Sequence, residues 1–384
     1  MLVDFALYTP MFVSLTWALI LLITSRTYGA RIFLSFFMFT VSAISLSNVV
    51  YYHHQKEIFF SFELIYIFGT LSMLPVYQCY IKSLTYQTKI GFNDMKSLYP
   101  ALTILIATLG SYLLMNTEMR TLYINQYLFG NGSWYDAPLL IRIQLILHYI
   151  ILLVFIIQII YSIKRIKIFI TEYHRNITNY YSNLENKILE WPVIILYSFA
   201  IMSLLSSFTY FLGRNYFDKS PIILFVVGIG FAIFLFYLGF LGFLQRNIVE
   251  IIETDTVDFF EIPQTLKIKI ELHILFEEKQ LYKNPNLKIS DIATSLNTNR
   301  TYISKFINNE YTISFSMFVN QYRVEEAKQL LKNEENTNYS LDYIASLAGF
   351  GSLHSFIRVF KEITGTTPGR FKKNNLPKNR ENLL

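Results

Sequence analysis

The first 245 residues fall into seven long stretches almost free of charge, at 5–25, 32–52, 64–81, 97–117, 143–163, 191–213 and 220–245, with polar breaks between them. Each is close to the ~20 residues that carry a helix across a hydrocarbon core of roughly 30 Å. Beyond residue 264 the pattern changes, and apolar positions recur three and four apart among charged ones. Ile268, Leu272, Leu275 and Phe276 fall on one face of a helix there. The pattern predicts an all-α chain in which a seven-helix transmembrane bundle, residues 1–246, is followed by a linker at 247–264. A compact helical domain over 265–373 and a polar tail at 374–384 complete it.

Within that domain, residues 344–368 read IASLAGFGSLHSFIRVFKEITGTTP. Ile344, Ala345 and Leu347 keep helical spacing, and Gly349 supplies a left-handed stop from which Phe350 folds back. Ser352 is placed to cap the next helix, where Phe356 and Phe360 form an inward i, i+4 stripe. His354, Ser355, Arg358 and Lys361 remain on the outer face, and Gly365 with Pro368 ends the element. The whole is a helix-turn-helix, spanning about 340–368. A second unit lies upstream at about 287–309, with Ser290 as cap, Ile292, Ala293 and Leu296 inward, a turn near Asn297 and Thr298, and then Ile303, Phe306 and Ile307. Between them, 314–333 reads as a connecting helix with Phe318, Tyr322, Ala327, Leu330 and Leu331 inward.

The spacing I-A-x3-G-F-x5-F-x3-F-K-x3-G-x-T-P resembles the AraC/XylS family of bacterial transcription regulators, and the resemblance covers roughly residues 265–373. It implies a cytoplasmic domain with two helix-turn-helix units that binds double-stranded operator DNA. A recognition helix presents polar or cationic side chains from its first turns to a major groove, while basic neighbours neutralise phosphate. On that footing Asn299, Arg300, Thr301 and Lys305 are the candidate readers of the first unit, and His354, Ser355 and Arg358 those of the second. Lys361, Arg370, Lys372 and Lys373 are candidate phosphate contacts. Leu353 departs from the expected polar character at the start of the second recognition helix, which points to a different sequence preference.

Composition sharpens the division. The chain is 53% hydrophobic, 17% aromatic and only 16% charged, too apolar for an ordinary soluble regulator. The first stretch lacks a basic leader and a small-residue cleavage site, so it reads as a retained span. Lys and Arg collect in alternate breaks: Arg26 and Arg31, then Lys82, Lys89 and Lys96, then Lys164, Arg165, Lys167, Arg175 and Lys187. The other breaks hold only Lys56, Arg120, Arg214 and Lys219, with Arg142 at a border. The positive-inside rule then puts the N-terminus outside and the C-terminal domain in the bacterial cytoplasm. Cys79 is the single cysteine, which excludes a disulfide scaffold and a cysteine zinc finger. No phosphate loop, HExxH or GxSxG pattern occurs, so the reading carries no enzyme, metal or cofactor.

Seven spans exceed what a tether needs, and the excess suggests sensing of a small-molecule or membrane-derived signal. Glu63 and Arg142 enter the apolar region at similar depth from its outer side and are expected to pair. Gln144 and His148 share a helix face beside them, with Trp134 in the adjoining loop. These five are the candidate ligand-binding residues, weighed against a plain role as interface anchors. Pro75 is a candidate kink, and the small residues of the last stretch suit close helix packing. Residues 247–263 carry five acids and no basic residue, so the linker reads as a hinge or a solvated helical extension. Two other readings stand beside sensing: an anchor that dimerises the regulator through a second copy of the chain, and a transporter-like domain with a DNA-binding appendage.

Overall fold

A computed structural model describes residues 2–25, 29–86, 90–130, 132–185, 187–212, 221–245 and 264–375. They are helical throughout, with one isolated antiparallel bridge between Tyr181 and Lys288. The acidic linker at 247–263 and most of the polar tail lie outside the described residues, as do Arg26, Lys89, Arg214 and Lys219.

The chain divides into two compact units. The first contains α1 (Leu2–Thr24), α2 (Arg31–Tyr52), α3 (Lys56–Tyr86), α4 (Tyr99–Leu113), α5 (Thr117–Leu122), most of α6 (Leu139–Tyr180), α7 (Trp191–Leu212) and α8 (Pro221–Leu244). A helix occupies each of the seven apolar stretches. Among the described residues five of them, α1, α2, α3, α6 and α8, are long and apolar enough to cross a membrane.

The fourth stretch departs from a single straight span. The chain bends by 119° between its two helices, and the break has an evident cause. Asn116 Oδ1 accepts the amide of Met119 at 2.8 Å and starts α5 afresh, while Arg120 donates to the carbonyls of Tyr112 and Leu113 that end α4. α5 then runs into a π-helical turn, Tyr123–Leu128. Helix α3 continues through Pro75.

Close approach of α8 to its neighbours depends on small residues. A methyl on Gly239 would fall 2.3 Å from the Trp17 ring, and one on Gly228 would fall 2.5 Å from the Ala6 carbonyl oxygen. Polar contacts sort the helix ends of this unit into two sets. Asp4 lies 3.6 Å from His53, and Lys56 donates to Asn125 at 2.9 Å. In the other set, Arg31 donates to the carbonyls of Phe243 and Gln245, Trp191 donates to Gln245 Oε1, and Lys82 pairs with Asp94. These contacts are what helices running alternately up and down produce.

The second unit holds the C-terminal helices: α9 (Gln264–His273), α10 (Ile289–Ser295), α11 (Arg300–Tyr311), α12 (Phe315–Lys332), α13 (Leu341–Leu347), α14 (Leu353–Thr364) and α15 (Pro368–Asn375). Helix α12 is the spine and packs against both helix pairs, α10–α11 and α13–α14. Ile268, Leu272, Leu275 and Phe276 are all buried as their spacing predicts, and Phe318, Ala327 and Leu331 are buried on α12. Thr171–Leu189 also belongs to this unit, so its folding set is discontinuous in the chain.

Candidate nucleic-acid interface

Both helix-turn-helix units owe their turns to local backbone chemistry. In the first, Asn297 adopts φ +50° between α10 and α11. The first cap departs from expectation: Ser290 lies inside α10, which is capped at Lys288 by Asp291 accepting the Lys288 amide at 2.8 Å. In the second, Gly349 sits at φ +88°, and a methyl there would stand 2.5 Å from the Tyr282 carbonyl oxygen, so both conformation and space require glycine. Ser352 Oγ accepts the Ser355 amide at 3.2 Å and caps α14, while Gly365 at φ +77° closes it. Ile344, Ala345, Ala348, Phe350, Phe356, Val359 and Phe360 pack with Val324, Ala327 and Leu331 into one core.

The geometry sorts the candidate readers. On α14, His354 and Arg358 are exposed, and Arg358 is only loosely drawn to Glu362 at 4.0 Å. Ser355 is buried and does not lie on the outer face; the i+4 stripe of Phe356 and Phe360 turns it inward. Leu353 packs on the core, which accounts for an apolar residue at that position. On α11, Lys305 is exposed and Thr301 half-buried. Asn299 is the N-cap, its Oδ1 accepting from the Tyr302 amide at 2.7 Å. The Arg300 guanidinium lies 5.8 Å above the Tyr180 ring.

The basic residues after α14 also separate. Lys361, Arg370 and Lys373 are exposed. Lys372 is not placed as a phosphate contact, because its Nζ donates to the carbonyls of Thr337 and Tyr339, each at 2.9 Å, and ties α15 to the loop before α13. Arg323 on α12 carries weight that its sequence did not announce. It is 1% exposed, with Nε on the Tyr282 carbonyl at 2.7 Å, Nη1 on Asn320 Oδ1 at 3.3 Å, and Nη2 on the Asn284 carbonyl at 2.7 Å and Ser182 Oγ at 3.1 Å. Burial pulls its guanidinium down to about 10, still far above neutrality.

Comparison with known proteins bears on this domain. A family model described as a helix-turn-helix domain matches residues 292–374. The C-terminal domain is of the AraC type. The chain is 33% identical over 132 residues to the uncharacterized HTH-type transcriptional regulator YfiF of Bacillus subtilis, covering 33% of this chain and 40% of that protein. It is 31% identical over 88 residues to the Msm operon regulatory protein of Streptococcus mutans, covering 23% of this chain and 31% of that protein. The chain thus spans two fifths or less of the length of these relatives. Among solved structures, the C-terminal domain of AraT, a response regulator from Geobacillus stearothermophilus, has a TM-score of 0.26 at 22% identity, over 32% of this chain and 94% of that one.

Outside the AraC-type domain, the first unit gathers a polar cluster among apolar helices. Glu63 is 5% exposed on α3; its Oε1 accepts from the Tyr123 hydroxyl at 3.1 Å and meets His148 Nε2 at 2.9 Å. His148 Nδ1 lies 2.9 Å from the Gln144 carbonyl. Gln144 is fully buried, accepting from Ser111 Oγ at 2.7 Å and donating to the Thr108 carbonyl at 3.3 Å. Glu63 Oε2 is buried without a hydrogen-bond partner among the described residues. The structure unites Glu63, Gln144 and His148, but not Arg142 or Trp134, and the expected Glu63–Arg142 pair does not form. Arg142 instead donates to the carbonyls of Ala137 and Tyr135 at 2.7 and 2.9 Å, bracing the turn that contains an exposed Trp134. Tyr123, delivered by the bend after α4, completes the cluster unannounced by the sequence. An open depression of about 440 Å³ lies nearby in sequence, lined by Thr117, Glu118, Thr121, Leu122, Asn125 and Gln126 rather than by the expected residues.

Proposed function

We propose that this chain is a membrane-embedded, DNA-binding transcription regulator in which the apolar helices perceive a cue and the AraC-type domain acts on an operator. The observation that carries the reading is the pairing of two capped helix-turn-helix units on one spine, α12, with exposed cations on both second helices: Lys305 on α11, and Arg358 and Lys361 on α14. Two units held by one helix suit successive major grooves about 34 Å apart. Arg370 and Lys373 suit phosphate, and His354 and Arg358 suit base edges.

Membrane insertion is supported by the long apolar helices and by parity. Ser182 and Leu287 are hydrogen-bonded, so they share a compartment, and the chain between them crosses a bilayer an even number of times. Helix α8 is long and apolar enough for one crossing, and α7, apolar over Trp191–Ile201, would supply the other. The same rule suits the Asp4–His53 and Lys56–Asn125 contacts on the side poor in cations. The richer side carries Arg31, Lys82, Lys96, Lys164, Arg165 and Lys167, which the positive-inside rule assigns to the cytoplasm. Sensing is favoured over bare anchoring by the Glu63–His148–Tyr123–Gln144 cluster, since polar groups at such depth are costly and mark functional sites. A cue that binds two states unequally, with coupling of about 1–3 kcal/mol, changes operator affinity about 5- to 150-fold.

The test is selection of random-sequence duplexes on the full chain in lipid nanodiscs, with protease added to intact spheroplasts to report the side of the C-terminal domain. Enrichment of two half-sites one helical turn apart is expected, with the domain protected. Recovery of unselected sequence, or digestion of the domain from outside, would overturn the reading.

A further inference from the structure

Residues 171–189, the end of α6 and the stretch that leads on toward α7, are not a bare connection. Tyr173, Ile177, Tyr180, Tyr181 and Ser182 are all buried. Tyr181 forms an isolated bridge to Lys288 at the start of α10. Both backbone groups of Ser182 are engaged by the AraC-type domain: its amide donates to the Leu287 carbonyl at 3.1 Å, and its carbonyl accepts from Ser316 Oγ at 3.1 Å. Its hydroxyl donates to Leu287 and accepts from Arg323. A methyl on Gly351, in the turn before α14, would stand 2.5 Å from the Asn183 side chain. The segment therefore touches the first helix pair, the spine and the second turn.

Its aromatic rings also draw in cations. Lys187 and Lys288 lie 5.0 and 5.9 Å from the Tyr181 ring, and Arg300 lies 5.8 Å from the Tyr180 ring. These are distances at which a cation is held by a ring face. Arg300 is the first residue of α11, the position from which a recognition helix reaches a groove. A guanidinium seated on Tyr180 is not extended toward DNA.

We propose that residues 171–189 are a latch, docked on the AraC-type domain, that withholds Arg300 and fixes the first helix-turn-helix in a state of low DNA affinity until the latch lifts. This rests on the DNA-binding reading above and names the regulation of that same interface. The latch is continuous with α6, the helix that bears Gln144 and His148, so the signal has a covalent route from the polar cluster to the recognition helix that does not pass through the acidic linker.

The bridge allows a reversible lock. Antiparallel bridge partners stand about 4.5–5.5 Å apart at Cα, within the span of a disulfide. In a Cys79→Ala background, Tyr181→Cys with Lys288→Cys is made in the full chain, held in lipid nanodiscs, and its affinity measured for duplexes selected from a random-sequence library. The oxidised form is expected to bind about tenfold or more weakly than the same sample after reduction, within the usual range of coupling. Tyr180→Ala, with the backbone intact, is expected to tighten binding. Equal affinity in the two redox states, weaker binding by Tyr180→Ala, or failure of the two cysteines to cross-link would overturn the latch while leaving DNA binding standing. Failure of the unmodified chain to bind any duplex would instead overturn the DNA-binding reading itself.

Discussion

Glu63 Oε1 and His148 Nε2 lie 2.9 Å apart, joining α3 to α6. A carbonyl can only accept, so His148 Nδ1, turned to the Gln144 carbonyl, is the donor of that bond. Replacing Glu63 by Leu removes a buried acceptor from both the Tyr123 hydroxyl and His148 Nε2. A hydrogen bond to a charged group contributes about 1.5–3 kcal/mol, so thermal unfolding of the Glu63→Leu chain in detergent is expected at clearly lower temperature, whereas Glu63→Gln, which keeps an acceptor oxygen, loses less. Identical melting of Glu63→Leu and the parent would show that the cluster contributes no cohesion.

The exposed cations are expected to divide by role on DNA. Arg358→Ala should weaken specific binding by about 1–3 kcal/mol and relax preference at one base position, whereas Lys373→Ala should weaken all sequences alike and lower the salt slope by about 1. Equal losses on specific and random duplexes for both variants would refute the distinction.

Lys372→Ala should act on the fold rather than on DNA. Hydrogen bonds from a charged donor contribute roughly 1.5–3 kcal/mol, and Nζ serves the carbonyls of Thr337 and Tyr339. Faster hydrogen exchange in α13 and α15 with an unchanged salt slope is the expected signature; a reduced slope with unchanged exchange would restore the phosphate role.

Gly349→Ala combines a left-handed backbone with a methyl 2.5 Å from the Tyr282 carbonyl oxygen. The conformational part alone costs about 1–2 kcal/mol, and the close contact adds to it. Loss of protection throughout the second helix-turn-helix is expected by hydrogen exchange, and native-like protection there would contradict the turn geometry.

Alkaline pH should loosen the same domain. The Tyr282 phenol is held above its ordinary range, first by burial and then by the nearby Glu326 carboxylate, to which it donates at 3.1 Å. The folded domain keeps a proton that the unfolded chain releases as pH passes through about 10. The stabilisation is therefore complete below about pH 10 and is lost as pH rises further. Exchange protection of α12 should fall less steeply with pH in Tyr282→Phe than in the parent, and parallel curves would remove Tyr282 as the cause.

The sequence made much of this legible. Helix periodicity identified the inward faces of α9 and α14, and the turn residues Asn297, Gly349 and Gly365 fell where their backbone chemistry requires. What it hid depends on partners far apart in the chain. Ser355 looked polar and outward, yet one step of helical rotation buries it. By depth alone Arg142 is the natural mate for Glu63, but two nearby carbonyls hold it, and His148 takes its place. Arg323 reads as one more helical surface cation until the carbonyls of Tyr282 and Asn284 close around it.

The joining of Ser182 to Leu287 across 105 residues sets an order of events in biosynthesis. The strand-like piece at 181–182 is made well before its mate, and two apolar helices must leave the ribosome in between. The AraC-type domain then closes on a segment that was made before it. A chain cut at residue 264 would release a domain that has never met that segment, with Arg323 short of one acceptor.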